Sequence, residues 1–224
     1  MSESFNASSV YSINVGSVYG SINASDSVGT FSATDVSGIN VGNVNTINVN
    51  DSVNGGISVI GSVSGTFSAT SVGTFTSTSV GDINVGNTGS FNASSVNGDI
   101  KVGSVNGKIT VSKDVNSDII IYGVAGGNIS VYGTSVDGSV AGYIFINSAV
   151  TGFIKVGSAN GINVGKNVGG DGIIVNGSVN GDIYVNNSVS GSINLNNSVN
   201  GSIIVSKNVN GSFEANNVNN VFID

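Results

Sequence analysis

The sequence predicts an all-β protein: a single-chain β-solenoid in which about two units of 8–10 residues form one coil. Three observations lead to this prediction. A ten-residue unit repeats four times without interruption over residues 178–217, β-branched residues alternate with polar ones inside each unit, and the chain contains 34 Gly and no Pro. Units this short cannot bury an apolar face alone, so they must stack on one another.

Each unit has two parts, which the pattern [S/N]-V-x-G-x-[I/F]-x-[V/L/A] displays. Ile-x-Val is β-branched with a period of two, which is typical of a short strand with both apolar side chains on one face. The preceding Val-x-Gly indicates a corner, where we expect Gly or Asn to supply a positive φ angle. The unit is therefore predicted to be a corner followed by a short strand.

The volumes of the two inward residues of each strand compensate for each other, a relation that we call the volume trade. Where the first is Ile the second is usually Val, and where the first is Phe the second is Ala or Ser. Examples are Ile83 with Val85, Ile183 with Val185, Phe67 with Ala69, and Phe75 with Ser77. This trade indicates a narrow, close-packed interior of constant cross-section, because both overpacking and cavities reduce stability.

The repeat extends over nearly the whole chain, so residues 1–224 are predicted to form one elongated domain. The units lengthen from eight residues to ten along the chain. An irregular patch lies near residues 134–148, where an extra SVDG precedes the next strand. Two units per coil is the preferred arrangement, and three units per coil would give a shorter and wider rod.

The composition argues against several classes of function. The net charge is −7 from 13 acidic residues and six basic ones, without a basic patch, so nucleic acids and anionic membranes are poor candidate partners. The chain has no His and no Cys, which removes the common general bases, thiol nucleophiles and soft metal ligands. We therefore expect no enzymatic activity, no catalytic or metal-binding residues and no cofactor.

The segment MSESFNAS lacks the basic and apolar regions of a signal peptide. No apolar run approaches the roughly 18 residues of a membrane span, so none is predicted. An extracellular, cell-surface or virion filament is slightly favoured over a cytoplasmic cytoskeletal role.

The tandem V-x-G-x-I-x-V pattern, as in SVNGDIYVNNSVSGSINLNN, resembles the bactofilins, bacterial cytoskeletal proteins with a right-handed triangular β-helix. It is similar to nearly the same degree to the β-solenoid repeats of adhesins. The resemblance covers almost the whole chain. Resemblance to bactofilins implies polymerisation head to tail without a nucleotide.

Two function hypotheses follow. The first is a structural, self-assembling filament subunit whose partner is itself, since the terminal coils of a solenoid leave open strand edges. The residues expected at or beside that head-to-tail junction are Phe5, Val221, Phe222 and Ile223. The second is a non-enzymatic binding module, either a surface adhesin or a segment of a viral or phage fibre, that presents one face to a glycan or a surface partner.

A set of aromatic residues is predicted to point away from the core. These residues are Tyr122, Tyr132, Tyr143, Phe145 and Phe153. Stacked on successive coils, they would form either a lateral contact patch or a set of cross-coil contacts that only stiffens the rod.

Overall fold

The computed structural model describes residues 4–131 and 139–224, and these residues form strands and turns without any helix. The strands are β1 (Phe5–Val96), β2 (Ile100–Val105), β3 (Ile109–Val111), β4 (Ile119–Ile121), β5 (Ile129–Val131), β6 (Val140–Ile146), β7 (Ile154–Val156), β8 (Ala159–Val164), β9 (Gly172–Val175), β10 (Ile183–Val185), β11 (Ser192–Val205) and β12 (Phe213–Ile223). They pair in one sheet in the order β10-β8-β6-β4-β2-β1-β3-β5-β7-β9-β11-β12, with a further pairing between β10 and β11. All these pairings are parallel, which is the β-solenoid that the repeat predicts.

Two units form one coil, as predicted. Ile83 pairs with Ile100, whereas Phe91 in the next unit pairs with Ile109. Each strand thus skips one unit before it finds its partner, so two ladders form. One contains β2, β4, β6, β8 and β10, the other contains β3, β5, β7 and β9, and the longer strands β1, β11 and β12 contribute to both. We name these the even ladder and the odd ladder.

The coils can be counted along the even ladder. Successive pairings pass through Ile83, Ile100, Ile119, Ile144, Ile162, Ile183, Ile203 and Val221, which is seven coils. The long strand β1 winds in the same way, because Asn23 bonds to Asn6 and Asn40 bonds to Asn23, each 17 residues apart. The extended run of β1 is therefore a series of coils rather than a straight strand.

The irregular patch near residues 134–148 leaves the ladders intact. Residues 132–138 of this part lie outside the described residues. Ile119 pairs with Ile144 and Ile129 pairs with Ile154, so the coil here takes 25 residues instead of the 20 between Ile183 and Ile203. The additional residues are accommodated between β5 and β6, and β6 returns in register.

The inward positions predicted from the volume trade are buried. Ile183 and Val185 are both fully buried, and so are Phe67 and Phe75. The coil that spans residues 183–202 buries Ile183, Val185, Val189, Ile193, Leu195 and Val199. Two of these six are corner valines, which link to valines of neighbouring coils through isolated bridges. The corner valine is thus a third core position of each unit.

Three phenylalanines, Phe67, Phe75 and Phe91, form a stack in the N-terminal half. Phe75 lies 4.7 Å from Phe67 and 5.1 Å from Phe91 between ring centroids, with both pairs close to parallel. The small residue that accompanies Phe75 is Ser77, whose hydroxyl donates to the carbonyl oxygen of Ser79 at 2.9 Å. The volume trade therefore makes room for three stacked rings without leaving a polar group unpaired.

The corner glycines have a different role from the one predicted. Among the described residues a positive φ occurs only at Gly170 and Gly172, and at no other residue type, so the expectation for the corners was wrong. The reason for glycine is close approach between coils. A Cβ at Gly181 would lie 2.6 Å from the carbonyl oxygen of Asn160 in the preceding coil, where the coil spacing of about 4.8 Å leaves no room.

Asparagine side chains join neighbouring coils on the outer surface. The Asn23 amide donates to Asn6 at 2.8 Å, and the Asn40 amide donates to Asn23 at 3.0 Å. Asn180 donates to Asn160 in the same way at 3.3 Å. Such ladders satisfy side chains that would otherwise compete for the backbone, and they add to the stability of the stack.

One ion pair lies on the even ladder. The Asp99 carboxylate accepts hydrogen bonds from the Lys101 ammonium group at 2.6 Å, from the Ser117 hydroxyl and from the Asp118 amide at 3.3 Å. These interactions, chiefly the one with Lys101, lower the pKa of Asp99 to about 2. Since Ser117 and Asp118 belong to the next coil, the charged form of Asp99 favours the stacked state.

We expect the Asp99→Asn variant to lose less stability on acidification than the parent protein. The pKa of Asp99 is depressed on folding, so its contribution is present above its ordinary value of 3.8 and is lost as the pH falls through about 2. Thermal unfolding of both proteins between pH 6 and pH 2 measures the difference. Lys101→Met should reduce the acid sensitivity in the same direction, and an unchanged acid response in both variants would refute this assignment.

Candidate functional site

The C-terminal coil exposes residues of core type. Val221 and Ile223 pair with Ile203 and Val205, which are buried core residues of the coil below. Yet Val221 is 42% exposed and Ile223 is 41% exposed, because no other coil of the described residues lies on this side of them. The strand β12 thus presents an apolar end face with one unpaired backbone edge.

The third predicted junction residue of this segment lies beside the end face. Phe222 pairs with Ile204, whose side chain points outward between the buried Ile203 and Val205. Phe222 is 57% exposed and belongs to the outer surface beside the end face, not to the end face itself.

The N-terminal coil is apolar and open in the same way. Phe5, Val10 and Val15 are only partly buried, although they contact the core. Together with Ile13 they line a cavity of about 220 Å³, whose inner wall includes the fully buried Ile22. Phe5, which was predicted at the junction, therefore lies on the end face of the first described coil.

The two end coils have the same spacing of inward residues. Residues 5–15 read FNASSVYSINV and residues 213–223 read FEANNVNNVFI, with Phe, Ala, Val and two further β-branched residues at identical intervals. Ile183, Ile193 and Ile203 are ten residues apart, whereas Phe213 and Val221 are only eight apart. The last half-coil therefore shortens to the length of the first.

The shortening is visible in the strand pairing. The register between β11 and β12 shifts between Leu195 and Ser198 and again between Val199 and Ser202. The spacing of the apolar residues in 213–223 is visible in the sequence. It identifies an end half-coil that matches residues 5–15 only once it is known that two units make one coil. The last half-coil, from Phe213 to Val221, therefore has the same number of residues as the first, from Phe5 to Ile13.

The outward aromatic residues fall into two groups. Tyr122, Tyr143 and Phe145 are all exposed and lie on or next to the even ladder, where β4 pairs with β6. Phe153 is half-buried and precedes β7, which belongs to the odd ladder. Tyr132 lies outside the described residues. The structure thus places three of the five on or beside the even ladder, but Tyr122 is level with Asn147 and Tyr143 with Asp118, so these two rings do not stack on each other. Phe153 lies on the other ladder.

Tyr143 contacts the next coil. It pairs with Gly161, and a Cβ at that glycine would lie 2.8 Å from the ring of Tyr143. The ring also approaches Gly181 one coil further on, while the Tyr143 amide donates to the Asp118 carboxylate at 2.7 Å. Tyr143 therefore covers Gly161 and Gly181 and links successive coils. This contact corresponds to the second alternative above, in which the rings stiffen the rod.

A longer column of mainly apolar side chains runs along the even ladder. It consists of the outward residue of each strand in six successive coils, and we call it the outer stripe. Its members are Ile120, Phe145, Asn163, Tyr184, Ile204 and Phe222. The corresponding residues of the odd ladder are mainly polar: Thr110, Ser130, Lys155, Ile174, Asn194 and Glu214. The sequence pattern alone does not single out Ile120, Tyr184 or Ile204, because the column exists only once the coils are in register.

Two further findings concern the residues that the structure describes. No group of three or more of their metal-ligating side chains is arranged to hold a metal ion. No helix in the described ranges could cross a membrane.

The fold and these surfaces define the class of the protein: a parallel β-solenoid with two units per coil and an apolar face on each end coil. No protein-family model matches the chain, and comparisons with curated proteins and with solved structures find no match either. The resemblance to bactofilins therefore rests on the repeat pattern quoted above.

Proposed function

We propose that this chain is a structural subunit that polymerises head to tail, with the C-terminal coil of one copy stacked on the N-terminal coil of the next. The observation that carries this proposal is the matched spacing of inward residues in residues 5–15 and 213–223. A stacked copy would continue the solenoid without a change in cross-section. Such a contact joins two different surfaces, so it can repeat indefinitely instead of closing.

The ladders meet in the correct order in such a stack. The odd ladder passes through Phe5, Ile22, Ile39, Ile57, Phe75, Phe91, Ile109, Ile129, Ile154, Ile173, Ile193 and Phe213. The even ladder begins at Ile13 and ends at Val221. A second copy in register therefore places its Phe5 on Phe213 and its Ile13 on Val221. The stack of Phe75 on Phe91 is an example of the same ring contact between coils.

Two physical effects favour this contact. Covering Val221 and Ile223 removes apolar surface from water, which is the main driving force of association. The unpaired backbone edge of β12 gains hydrogen bonds from the added strand, as in other cases of strand addition. Few charged side chains lie near this contact: residues 5–15 carry none, β12 carries only Glu214, and Glu3 and Asp224 flank the two segments.

We expect the Val221→Lys variant of the 224-residue chain to lose its ability to form fibres while keeping its fold. The ammonium group would be buried between apolar residues of two copies, without a partner, so the stack would become unfavourable. Negative-stain microscopy and sedimentation velocity detect the change from long unbranched fibres to single rods. Phe5→Asp should act in the same way on the opposite end.

Asn220→Lys is the matched control, because it adds the same charge to an exposed neighbour on the same coil. It should leave the fibres unchanged. Fibres that persist when both Phe5 and Val221 are altered would place the junction elsewhere. A parent protein that stays as single rods at high concentration would contradict the filament proposal.

A groove near the N-terminus supports the second candidate function, a binding module. It has a volume of about 480 Å³, and its polar lining includes Ser27, Asn43 and Ser62 from successive coils. Tyr11, which is 94% exposed, stands at its edge. Hydroxyl and amide groups beside an exposed aromatic ring suit a glycan, so this groove becomes the leading candidate if single rods are observed.

A further inference from the structure

We propose that the outer stripe of one rod packs against the outer stripe of a second copy in antiparallel orientation, forming a lateral pair. This interface is separate from the end-to-end junction and does not depend on it. The occupant of the stripe is therefore another molecule of this chain, related by a two-fold axis perpendicular to the rods.

The stripe is mainly apolar and partly exposed. Phe145 is 41% exposed and Phe222 is 57% exposed, while Ile120, Tyr184 and Ile204 are half-buried. The same column in the N-terminal half is polar, with Asn14, Ser32, Asn48, Ser68 and Asn84 between the inward residues. Within this column the apolar residues are thus confined to the C-terminal half, which indicates a local contact rather than a general property of the column.

The geometry of the stripe suits a partner with the same repeat. Its residues stand on consecutive parallel strands, about 4.8 Å apart along the rod, so six rows span about 24 Å. A second solenoid of this chain has the same row spacing, and its side chains can interlock row by row, as in paired sheets. A partner with a different period would lose this match after one or two rows.

Two copies of the outer stripe have complementary side chains when they run in opposite directions. With the two-fold axis between the rows of Asn163 and Tyr184, these two residues face each other across the interface. Phe145 then faces Ile204, and Ile120 faces Phe222. Every row thus combines an aromatic ring with a smaller side chain, whereas parallel pairing in register would place ring on ring and leave gaps beside Asn163. Well-packed interfaces require the former kind of match.

The distribution of charge favours the antiparallel arrangement. Residues 1–100 contain six acidic side chains and no lysine, whereas residues 101–224 contain seven acidic side chains and all six lysines. Antiparallel pairing through the C-terminal halves directs the two acidic halves to opposite ends of the pair. Parallel pairing would hold them side by side, where their like charges repel.

The Asn163→Cys variant tests the inference directly, because the chain has no cysteine of its own. Asn163 lies next to the proposed axis and is half-buried on the outer stripe. We expect mild oxidation to join two copies through this cysteine, seen as a covalent dimer on a non-reducing gel. Adding Phe145→Ser should lower the yield about tenfold, the effect of losing one interface anchor.

Two matched cysteine variants serve as controls. Asn84→Cys is in the same column four coils away, and Ile174→Cys is in the outward column of the odd ladder. Neither should form dimers at a rate comparable with Asn163→Cys. Equal cross-linking through residue 84 would show parallel pairing, equal cross-linking through residue 174 would show random collision, and no cross-linking through residue 163 would show that the stripe is unpaired. Each of these results would overturn the inference.

The same experiment separates this inference from the proposed function. Cross-linking through residue 163 requires no fibres, so the Val221→Lys and Asn163→Cys double variant should still form covalent dimers. If fibres form but residue 163 does not cross-link, only the lateral pair is refuted. If residue 163 cross-links in a protein that never forms fibres, only the end-to-end proposal is refuted.

Discussion

Val185→Asp is expected to prevent folding of the C-terminal coils. Val185 is fully buried and pairs with Val164 in the coil before it and with Val205 in the coil after it. A carboxylate at this position would have apolar neighbours on both sides and no cation to pair with. The cost of burying it is roughly 4 kcal/mol or more, which is a large part of the stability of an ordinary domain. Circular dichroism and thermal unfolding measure the loss.

Asn187→Asp is the control for this variant. It introduces the same charge two residues further along the chain, at a half-buried position outside the strand β10. A surface change of this kind should alter the free energy of unfolding by about 0.5 kcal/mol or less. If both variants were tolerated equally, the inward and outward positions of the strand would have to be exchanged.

Phe75→Ala is expected to produce the second-largest loss of stability. Phe75 is fully buried between Phe67 and Phe91, and its removal takes away both ring contacts as well as the buried apolar area. Truncation of a buried Phe to Ala costs about 3–5 kcal/mol, since the surrounding side chains fill the cavity only in part. Tyr11→Ala, at a residue that is 94% exposed, should leave chemical denaturation unchanged.

A pair of compensating changes distinguishes this explanation from a general loss of hydrophobicity. Phe75→Ile alone leaves a void, and Ser77→Val alone overfills the interior, so each should be destabilising. The double variant restores the Ile and Val combination of other units, such as Ile83 with Val85, and should be more stable than the sum of the single effects predicts. The expected interaction is about 1–3 kcal/mol in a double-mutant cycle. If the effects of the two single changes on the free energy of unfolding simply add, the paired volumes of residues 75 and 77 do not contribute to stability.

Both losses should begin as local events. In a stack of coils each unit contacts only its neighbours, so a defect first loosens the adjacent coils. Limited proteolysis should therefore cut Val185→Asp in its C-terminal half and Phe75→Ala in its N-terminal half. The positions of the cuts report where the stack has opened.

The sequence by itself determined the strands and the side of each strand that faces the core. Ile183 and Val185 could be placed inside because alternation with a period of two is a local property of an extended backbone. The volume trade between Phe75 and Ser77 added that the interior is narrow. The exposed core-type residues Val221 and Ile223 could also be anticipated, since any solenoid coil without a neighbour leaves an open edge.

The tertiary structure decided everything that depends on which coil lies beside which. The pairing of Ile83 with Ile100, rather than with a strand one or three units away, is a contact between distant residues that many similar units could satisfy. This register makes Ile120 and Phe145 neighbours and thereby forms the outer stripe. It also places the carbonyl oxygen of Asn160 so close to residue 181 that only glycine fits there. The match between residues 5–15 and residues 213–223 likewise identifies two half-coils of equal length only when the strand register is known. A repeat specifies its own strand, but only the stacked backbone hydrogen bonds specify the neighbour of that strand.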